Sequence, residues 1–339
     1  MQKRIGIRER GAEYACQNAE FISASENYFT LVHQIFMDAN FLSRLVHPLR
    51  KTPLNFNQAT GQLTDLATHE VFEIKNNVPI LLSHVVQEEL MATEQHKAAD
   101  SKFQYKEHYQ QDAETYDYFQ ENENAIENTE HNRLHEYILA QIPANANWIL
   151  DTGCGGGWLA KSQTGKGRNV ISMDISDINP IKSTKNVAYP THFGLVADVF
   201  EMPIKEGSID CIVASEIIEH VPDPKRFIGA LYDVLKPGGK IIITTPYNEK
   251  ILCSLCIHCN KLTPANAHLH SFTQESIRKF IPAGISNIKT NVFNNKVLVR
   301  LGLQRMLSFL PLPIWKAIDN LANAVTKKRA YRLMLVIEK

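Results

Sequence analysis

Five acids, three histidines and a run of glycines in the second half of the chain have the types and spacing that chemistry needs. The run is Asp151-Thr152-Gly153-Cys154-Gly155-Gly156-Gly157-Trp158. Glycines in such a turn permit left-handed backbone and let the main chain approach a ligand closely. A dinucleotide-binding turn needs a small residue three positions after its second glycine, for tight helix packing. Here that position is Trp158. Asp151, two residues before the first glycine, suits an ammonium group better than a pyrophosphate. Asp174, with Ile175 after it, stands 23 residues beyond Asp151, where a carboxylate can accept both hydroxyls of a ribose. Asp198, followed by Val199 in VADVFEMPI, offers an acceptor for the amino group of an adenine. Any one of these acids could merely cap a turn or helix. Together, an ammonium, a ribose diol and an adenine amine describe S-adenosylmethionine.

A second constellation follows. Glu216, Glu219 and His220 are spaced i, i+3 and i+4, so on a helical turn they share one face. His268 and His270 come later, just before Phe272. Two carboxylates with one or two imidazoles, as in Glu216, Glu219, His220 and His270, could hold a divalent cation such as magnesium or zinc. A cation there would lower the pKa of an accepting hydroxyl. Without one, His220, with Glu219 beside it, is the candidate general base or orienting group. Cys253, Cys256 and Cys259 form C-x2-C-x2-C with His258 and His270 close in sequence, which could make a tetrahedral zinc site. Reduced thiols on a loop account for them equally well. His270 cannot serve both sites.

These residues need a scaffold. From Asn147 the sequence alternates apolar strand-like runs with helical stretches: strands at 148–151, 170–175, 193–198, 209–215, 240–245, 288–293 and 331–338, helices at 224–235 and 274–281. Such alternation predicts an α/β fold with a mostly parallel sheet covered on both faces, and ligands bind beyond the carboxyl ends of its strands. The motifs fall there. Residues 1–85 are predicted to hold a helix at 29–45 and small β-hairpins, residues 86–142 a helical, acidic, Tyr-rich linker or cap, and residues 143–339 the main domain.

The chain has 339 residues, 36 basic and 36 acidic side chains, and 44% apolar residues, enough for a sizeable core. Net neutrality excludes a globally basic nucleic-acid binder. The charged start MQKRIGIRER lacks the apolar core of a signal peptide, no stretch is apolar for the roughly 18 residues of a spanning helix, and six scattered cysteines form no disulfide framework. The expected location is cytoplasmic. Charge is uneven, however. Between residues 87 and 136 there are 13 acids and 4 bases, and between 286 and 339 there are 10 bases and 2 acids. The two regions could attract each other, or the tail could meet an external anion.

From Asn147 to Phe293 the chain resembles the class I S-adenosylmethionine-dependent methyltransferases, whose sheet is Rossmann-like and seven-stranded. The shared segments are the glycine turn, IDCIVASEIIEHVPDP at 209–224 and LKPGGKIIITTPYN at 235–248. The resemblance implies S-adenosylmethionine as cofactor, with Asp151, Gly153, Cys154, Gly155, Asp174, Ile175, Asp198 and Val199 lining it. Within this class (methyltransferase types 11 and 23), ExxEH followed by a distant histidine is similar to the ubiquinone-pathway O-methyltransferases and to small-RNA 2′-O-methyltransferases. In the latter, a histidine matching His270 completes a metal site.

The segment HPLRKTPL…FEIKNNVPILL at 47–82 resembles the small zinc-ribbon activator of methyltransferases. Where that family has cysteines this chain has His47, Arg50 and residues near Asp65 and Thr68, so the shape is expected without the metal. Recruitment, substrate docking and simple packing against the main domain are the alternatives for its role. About 37 residues, at 294–330, are inserted between the last two strands. Leu303, Met306, Leu307 and Leu310 form one apolar face, Ile314, Ile318, Leu321 and Val325 another, and Lys327-Lys328-Arg329 follows. This insertion could cover the core, act as a lid over a greasy pocket, or make peripheral contact with an anionic membrane. The expected reaction is O-methylation of a small or lipid-like hydroxylated acceptor. An RNA 2′-O-methyltransferase and a non-catalytic cofactor-binding scaffold subunit are the rival readings.

Overall fold

The computed structural model describes residues 37–82, 103–120, 125–256 and 260–339. The helix expected at 29–45 begins outside this range. Inside it, only one turn forms, α1 (Ala39–Leu42), capped by the Asp38 carboxylate accepting the Phe41 amide at 2.9 Å. The chain then turns extended, because Leu45 bridges Ile204 and Val46 bridges Pro53.

Strands β1 (Leu54–Asn57), β2 (Gln62–Asp65) and β3 (Val71–Phe72) form a small antiparallel sheet. The ribbon's cysteine positions hold polar groups satisfied from within. His47 Nδ1 accepts the amides of Leu49 and Arg50 at 3.1 and 3.2 Å, and its Nε2 meets Glu70 at 2.8 Å. The buried Asp65 carboxylate accepts the Thr52 hydroxyl and both the amide and hydroxyl of Thr68.

The main sheet has nine strands in the order β13-β14-β10-β9-β6-β7-β8-β5-β4. Its central members are β6 (Trp148–Thr152), β7 (Asn169–Asp174), β8 (His192–Ala197), β9 (Ile209–Ser215) and β10 (Leu235–Pro246), all parallel. On one side, β14 (Ala330–Glu338) runs antiparallel to β10, and β13 (Ile288–Asn295) antiparallel to β14. These are the seven strands anticipated from the sequence. Two more come from the amino-terminal segment, β4 (Ile74–Lys75) and β5 (Val78–Leu81), a hairpin turning at Asn76 and Asn77 with φ of 52° and 63°. β5 lies parallel to β8 and so covers an edge that would otherwise be open.

Alternate residues in each strand face opposite cores. Leu150, Ile212, Ile241 and Ile243 join one cluster with Phe227 and Leu231 of α6 (Pro224–Val234). Phe41, Leu63, Phe72 and Leu81 belong to that same cluster, so the amino-terminal segment shares the core of the sheet. Ile149, Cys211, Val213 and Ile242 face the other way, against Leu134, Tyr137 and Ile138 of α3 (Ala125–Leu139) and Leu159 of α4 (Trp158–Gln163). Helices α2 (Tyr105–Thr115) and α5 (Ile178–Asn186) complete the layers. The helix expected at 274–281 is a single 3-10 turn, Ile277–Phe280. Thr273 and Ser276 cap each other's amides, and Pro282 stops propagation.

Three helices fill the insertion: α7 (Lys296–Arg300), α8 (Leu303–Met306) and α9 (Leu312–Val325). No helix of the described residues is long and apolar enough to cross a membrane.

Asp65 holds the small sheet together. Burial lifts its carboxyl, but hydrogen bonds from Thr52 and Thr68, with His47 nearby, bring it down to about 2. An Asp65→Ala substitution should cost about 1–3 kcal/mol in urea unfolding near neutral pH, as expected for stranded buried donors. A depressed folded pKa contributes stability that is present above the ordinary value of 3.8 and is lost as pH falls toward 2. The gap between native and variant should therefore close over that range. An unchanged midpoint near neutrality would refute this role.

Candidate active site

The glycine turn links β6 to α4, and left-handed backbone or close contacts exclude side chains at its glycines. Gly153, Gly155 and Gly157 have φ of 71°, 44° and 70°. A Cβ on Gly153 would lie 2.2 Å from Ile217 Cδ1, and one on Gly156 would lie 2.3 Å from the Tyr118 carbonyl oxygen. The turn after β9 therefore abuts the glycine turn through Ile217, and the segment from Tyr116 to Gln120 crosses over it.

Asp151, next to last in β6, has 2% of its surface exposed, and its Oδ2 has no hydrogen-bond partner. Burial, reinforced by the negative Asp174, raises its carboxyl well above the usual range. Asp174 ends β7, accepting the Ser176 amide at 3.0 Å and the Asn179 side chain at 3.2 Å. Burial raises it too, against the pull of those hydrogen bonds. Cys154 is buried beside them, and burial followed by the charges of Asp174 and Asp151 lifts its thiol. Ile175 and Val199 are half-buried at the ends of β7 and β8.

Asp198 stands at the expected rim position, but its oxygens are engaged. The Tyr105 hydroxyl donates to Oδ2 at 2.5 Å, Lys106 Nζ lies 3.1 Å from the same oxygen, and Oδ1 takes the Phe200 amide at 2.9 Å. Helix α2 thus covers this corner. Tyr105 and Lys106 were not singled out by sequence. The available signal was the recurrence of Tyr105 and Tyr109 one helical turn apart.

The second constellation is rearranged relative to expectation. Residues 216–220 form a turn without a helix, and Glu216 has φ +58°. That conformation sends Glu216 toward Arg332, whose Nε lies 3.0 Å from Oε2, while Arg332 Nη2 lies 3.3 Å from Glu130. Glu216 therefore does not join the candidate ligand set. His270 does not either: its Nε2 lies 3.0 Å from the Val221 carbonyl oxygen, and its ring faces Phe272 and Phe280.

His268 takes that place. Potential ligand atoms of Glu219, His220 and His268 all lie within 4.8 Å of one another. Glu219 anchors the group: its carbonyl accepts the amides of Leu269 and His270 at 2.8 and 3.2 Å, and its Oε2 accepts the Thr245 hydroxyl at 2.9 Å. Its other oxygen, Oε1, is buried without a hydrogen-bond partner, as is His220 Nδ1. His268 Nδ1 is fixed by Glu249 at 2.6 Å, leaving Nε2 directed elsewhere. The His220 and His268 rings meet edge to face at 4.7 Å. Tyr109 stands against His220 at 6.0 Å with its hydroxyl buried and unpartnered.

Burial, then the neighbouring Glu216, raises the Glu219 carboxyl. Burial, then His268, lowers His220 to about 4, so the imidazole is neutral at physiological pH.

Cys253 lies exposed in the hairpin of β11 (Cys253–Leu255) and β12 (Leu262–Pro264). Cys259 falls outside the described residues. Among the described residues, Glu219, His220 and His268 are the one group with metal-ligand convergence, and neither Cys253 nor Cys256 belongs to it. A cleft of about 840 Å³ between Met202–Glu206 and α6 contains none of these site residues.

A family model described as "Methyltransferase domain" matches residues 95–281, more than half of the chain. The chain belongs to the methyltransferase-domain family. Membership brings S-adenosylmethionine as the cofactor, consistent with the glycine turn and its rim acids. Among curated relatives, the methyltransferase is 32% identical over 163 residues to the ubiquinone biosynthesis O-methyltransferase of Xanthomonas axonopodis pv. citri (strain 306). It is 30% identical over 162 residues to that of Xanthomonas oryzae pv. oryzae (strain PXO99A). Each match spans 45% of this chain and 60% of the relative's length. Among solved structures, it is similar to an S-adenosylmethionine-dependent methyltransferase from Mesorhizobium loti, at 16% identity and a TM-score of 0.45 over 61% of this chain and 98% of that one. A phosphoethanolamine N-methyltransferase 2 of Haemonchus contortus, in complex with S-adenosyl-L-methionine, aligns at 16% identity and a TM-score of 0.42, covering 62% and 52%.

If Asp174 receives the ribose, Asp174→Ala should weaken S-adenosylhomocysteine binding at least about tenfold, roughly 1.4 kcal/mol, in calorimetric titration. Equal affinity in native and variant would take the ribose away from Asp174.

Proposed function

We propose that this methyltransferase transfers the methyl group of S-adenosylmethionine to a hydroxyl oxygen of a small or lipid-like acceptor. The observation that carries this reading is the convergence of Glu219, His220, His268 and Tyr109. They form a buried polar group with unsatisfied atoms, beside a glycine turn that Ile217 touches. Buried polar atoms without a protein partner call for an explanation, and a ligand that completes their bonding supplies one here. The names of the Xanthomonas relatives, which are O-methyltransferases, point to the same acceptor atom.

In the proposed step the acceptor oxygen attacks the methyl carbon in line with the departing sulfur. The C–O bond forms as the C–S bond breaks, the electron pair passes to sulfur, and the hydroxyl proton passes to His220. A base near 4 is weak for an ordinary alcohol. It suits a proton lost late, once the oxygen carries positive charge, or an acidic hydroxyl such as a phenol. Positioning of the acceptor behind the methyl supplies most of the acceleration.

The donor set also fits a divalent cation. Glu219 and His220 each present an unpartnered buried atom, and Glu249 orients the His268 ring as an outer carboxylate would. Glu219, His220 and His268 would hold the ion, with two imidazoles favouring zinc-like over magnesium-like chemistry. A bound ion would acidify the acceptor hydroxyl.

Incubating the enzyme with labelled cofactor and cell extract should place the label in the lipid fraction. His220→Ala should lower transfer by about 10²–10⁴-fold with S-adenosylhomocysteine affinity preserved. Label in RNA would replace the acceptor class, and cofactor binding without any labelled product would identify a scaffold. Activity lost to chelator and restored by metal would support the cation, and indifference to chelator would remove it.

A further inference from the structure

The insertion between β13 and β14 buries a carboxylate and an amide of its last helix beside Trp315, and leaves several large apolar side chains exposed. Along α9, Trp315, Asp319 and Asn323, spaced one helical turn apart, are buried. Asp319 accepts the amides of Asn294 and Asn295 at 3.1 and 2.7 Å and the Tyr137 hydroxyl at 3.3 Å. Asn323 accepts from the Asn295 side chain at 2.8 Å. These bonds fix the rotation of the helix, since turning it over would strand two buried amides and a carboxylate. The link before α9 is fixed as well: the buried Arg133 Nη2 donates to the carbonyls of Leu307, Ser308 and Leu310 at 2.9 to 3.1 Å.

The outward face carries Leu301, Met306, Phe309, Ile314, Leu321 and Val325, each more than half exposed, with Val325 at 75% and Phe309 at 76%. An exposed apolar face held in place this way marks an interaction surface.

Charge identifies the occupant. Between Lys296 and Arg329 the chain has seven bases and a single acid, Asp319, and that acid is buried. Arg300, Arg305, Lys327, Lys328 and Arg329 are exposed. Among the described residues, none of the seven bases forms an ion pair with a carboxylate. Of the basic tail, Arg332 does reach the acidic middle region, through Glu130. A second copy of this chain would bring like charges face to face. An anionic bilayer surface satisfies both halves, with apolar side chains entering the acyl boundary and bases meeting the headgroups.

We propose that α7 to α9 form a docking face for an anionic lipid membrane. The insertion leaves β13 at Asn295 and rejoins at Ala330, two residues before Arg332, which holds Glu216. Docking would therefore bring the catalytic rim of the sheet toward the lipid.

The test is co-sedimentation of the full chain with phosphatidylcholine vesicles, with and without phosphatidylglycerol. Binding should be about tenfold tighter or more with phosphatidylglycerol, and should weaken as salt rises. Leu321→Glu with Val325→Glu should release the protein from these vesicles by about tenfold or more, with thermal unfolding and S-adenosylhomocysteine affinity retained. Removing Lys327, Lys328 and Arg329 together as alanines should abolish the preference for the anionic lipid. Equal vesicle binding by native and doubly substituted protein overturns the proposal, and so does no binding by the native chain. Binding to single-stranded RNA without vesicle binding overturns it in favour of a nucleic acid. A dimer that the double substitution dissociates, again without vesicle binding, overturns it in favour of a second copy.

Discussion

A carboxyl group removed from water without a partner is costly, and it relieves the cost by keeping its proton or by waiting for a cation. This protein keeps two such groups at the carboxyl rim of its sheet. Asp151, next to last in β6, and Glu219 after β9 are almost fully buried, and each has an oxygen with no hydrogen-bond partner. Both are raised chiefly by burial, and each is raised further by another acid, Asp174 or Glu216. The rest of the site is arranged around them. Asp174 is held by Ser176 and Asn179, Glu216 is ion-paired with Arg332 through one oxygen, and Asp198 is covered by Tyr105 and Lys106. Asp151 and Glu219, buried more deeply than Glu216, are the ones a cationic cofactor, an acceptor or a metal would complete.

Glu219 also joins three parts of the chain. Its backbone lies in the turn that follows β9, its carboxylate takes Thr245 from β10, and its carbonyl takes the amides of Leu269 and His270. The parallel sheet makes this junction available, because adjacent parallel strands end at the same rim. One residue thereby sets the position of His268 relative to His220. The same rim receives Arg332 from β14, so the insertion before β14 and the site are parts of one structural edge.

The sheet was readable from the sequence because its signal is local. Runs such as 148–151 and 209–215 alternate between two apolar cores, and both faces are covered. The hairpin at 74–81 was readable as a hairpin, through Asn76 and Asn77, but its union with β8 was not, since a short strand does not announce its partner. The spacing of Glu216, Glu219 and His220 predicted a shared face only under helical geometry. The left-handed conformation of Glu216, stabilised by an arginine 116 residues later in the chain, removed it from the set. The choice between His268 and His270 likewise depended on backbone bonds to Glu219, which spacing cannot encode. In the insertion the helical spacing from Ile314 to Val325 matched α9, but the face expected from Leu303 to Leu310 did not form, since α8 ends at Met306, and periodicity did not give the direction of α9. Trp315, Asp319 and Asn323 share the buried face, and the hydrogen bonds of Asp319 and Asn323 to β13 hold it there.

The measurement that tests this account most directly is carbon-13 NMR of the aspartate and glutamate carboxyls, followed through a pH titration. Asp151→Asn and Glu219→Gln supply the assignments. The unliganded protein should show both carboxyls titrating well above the ordinary range. Saturating S-adenosylhomocysteine should bring the Asp151 signal down as its ammonium partner arrives, and leave Glu219 raised. Ordinary titration of both groups in the unliganded protein, or an Asp151 signal indifferent to the cofactor product, would contradict the account.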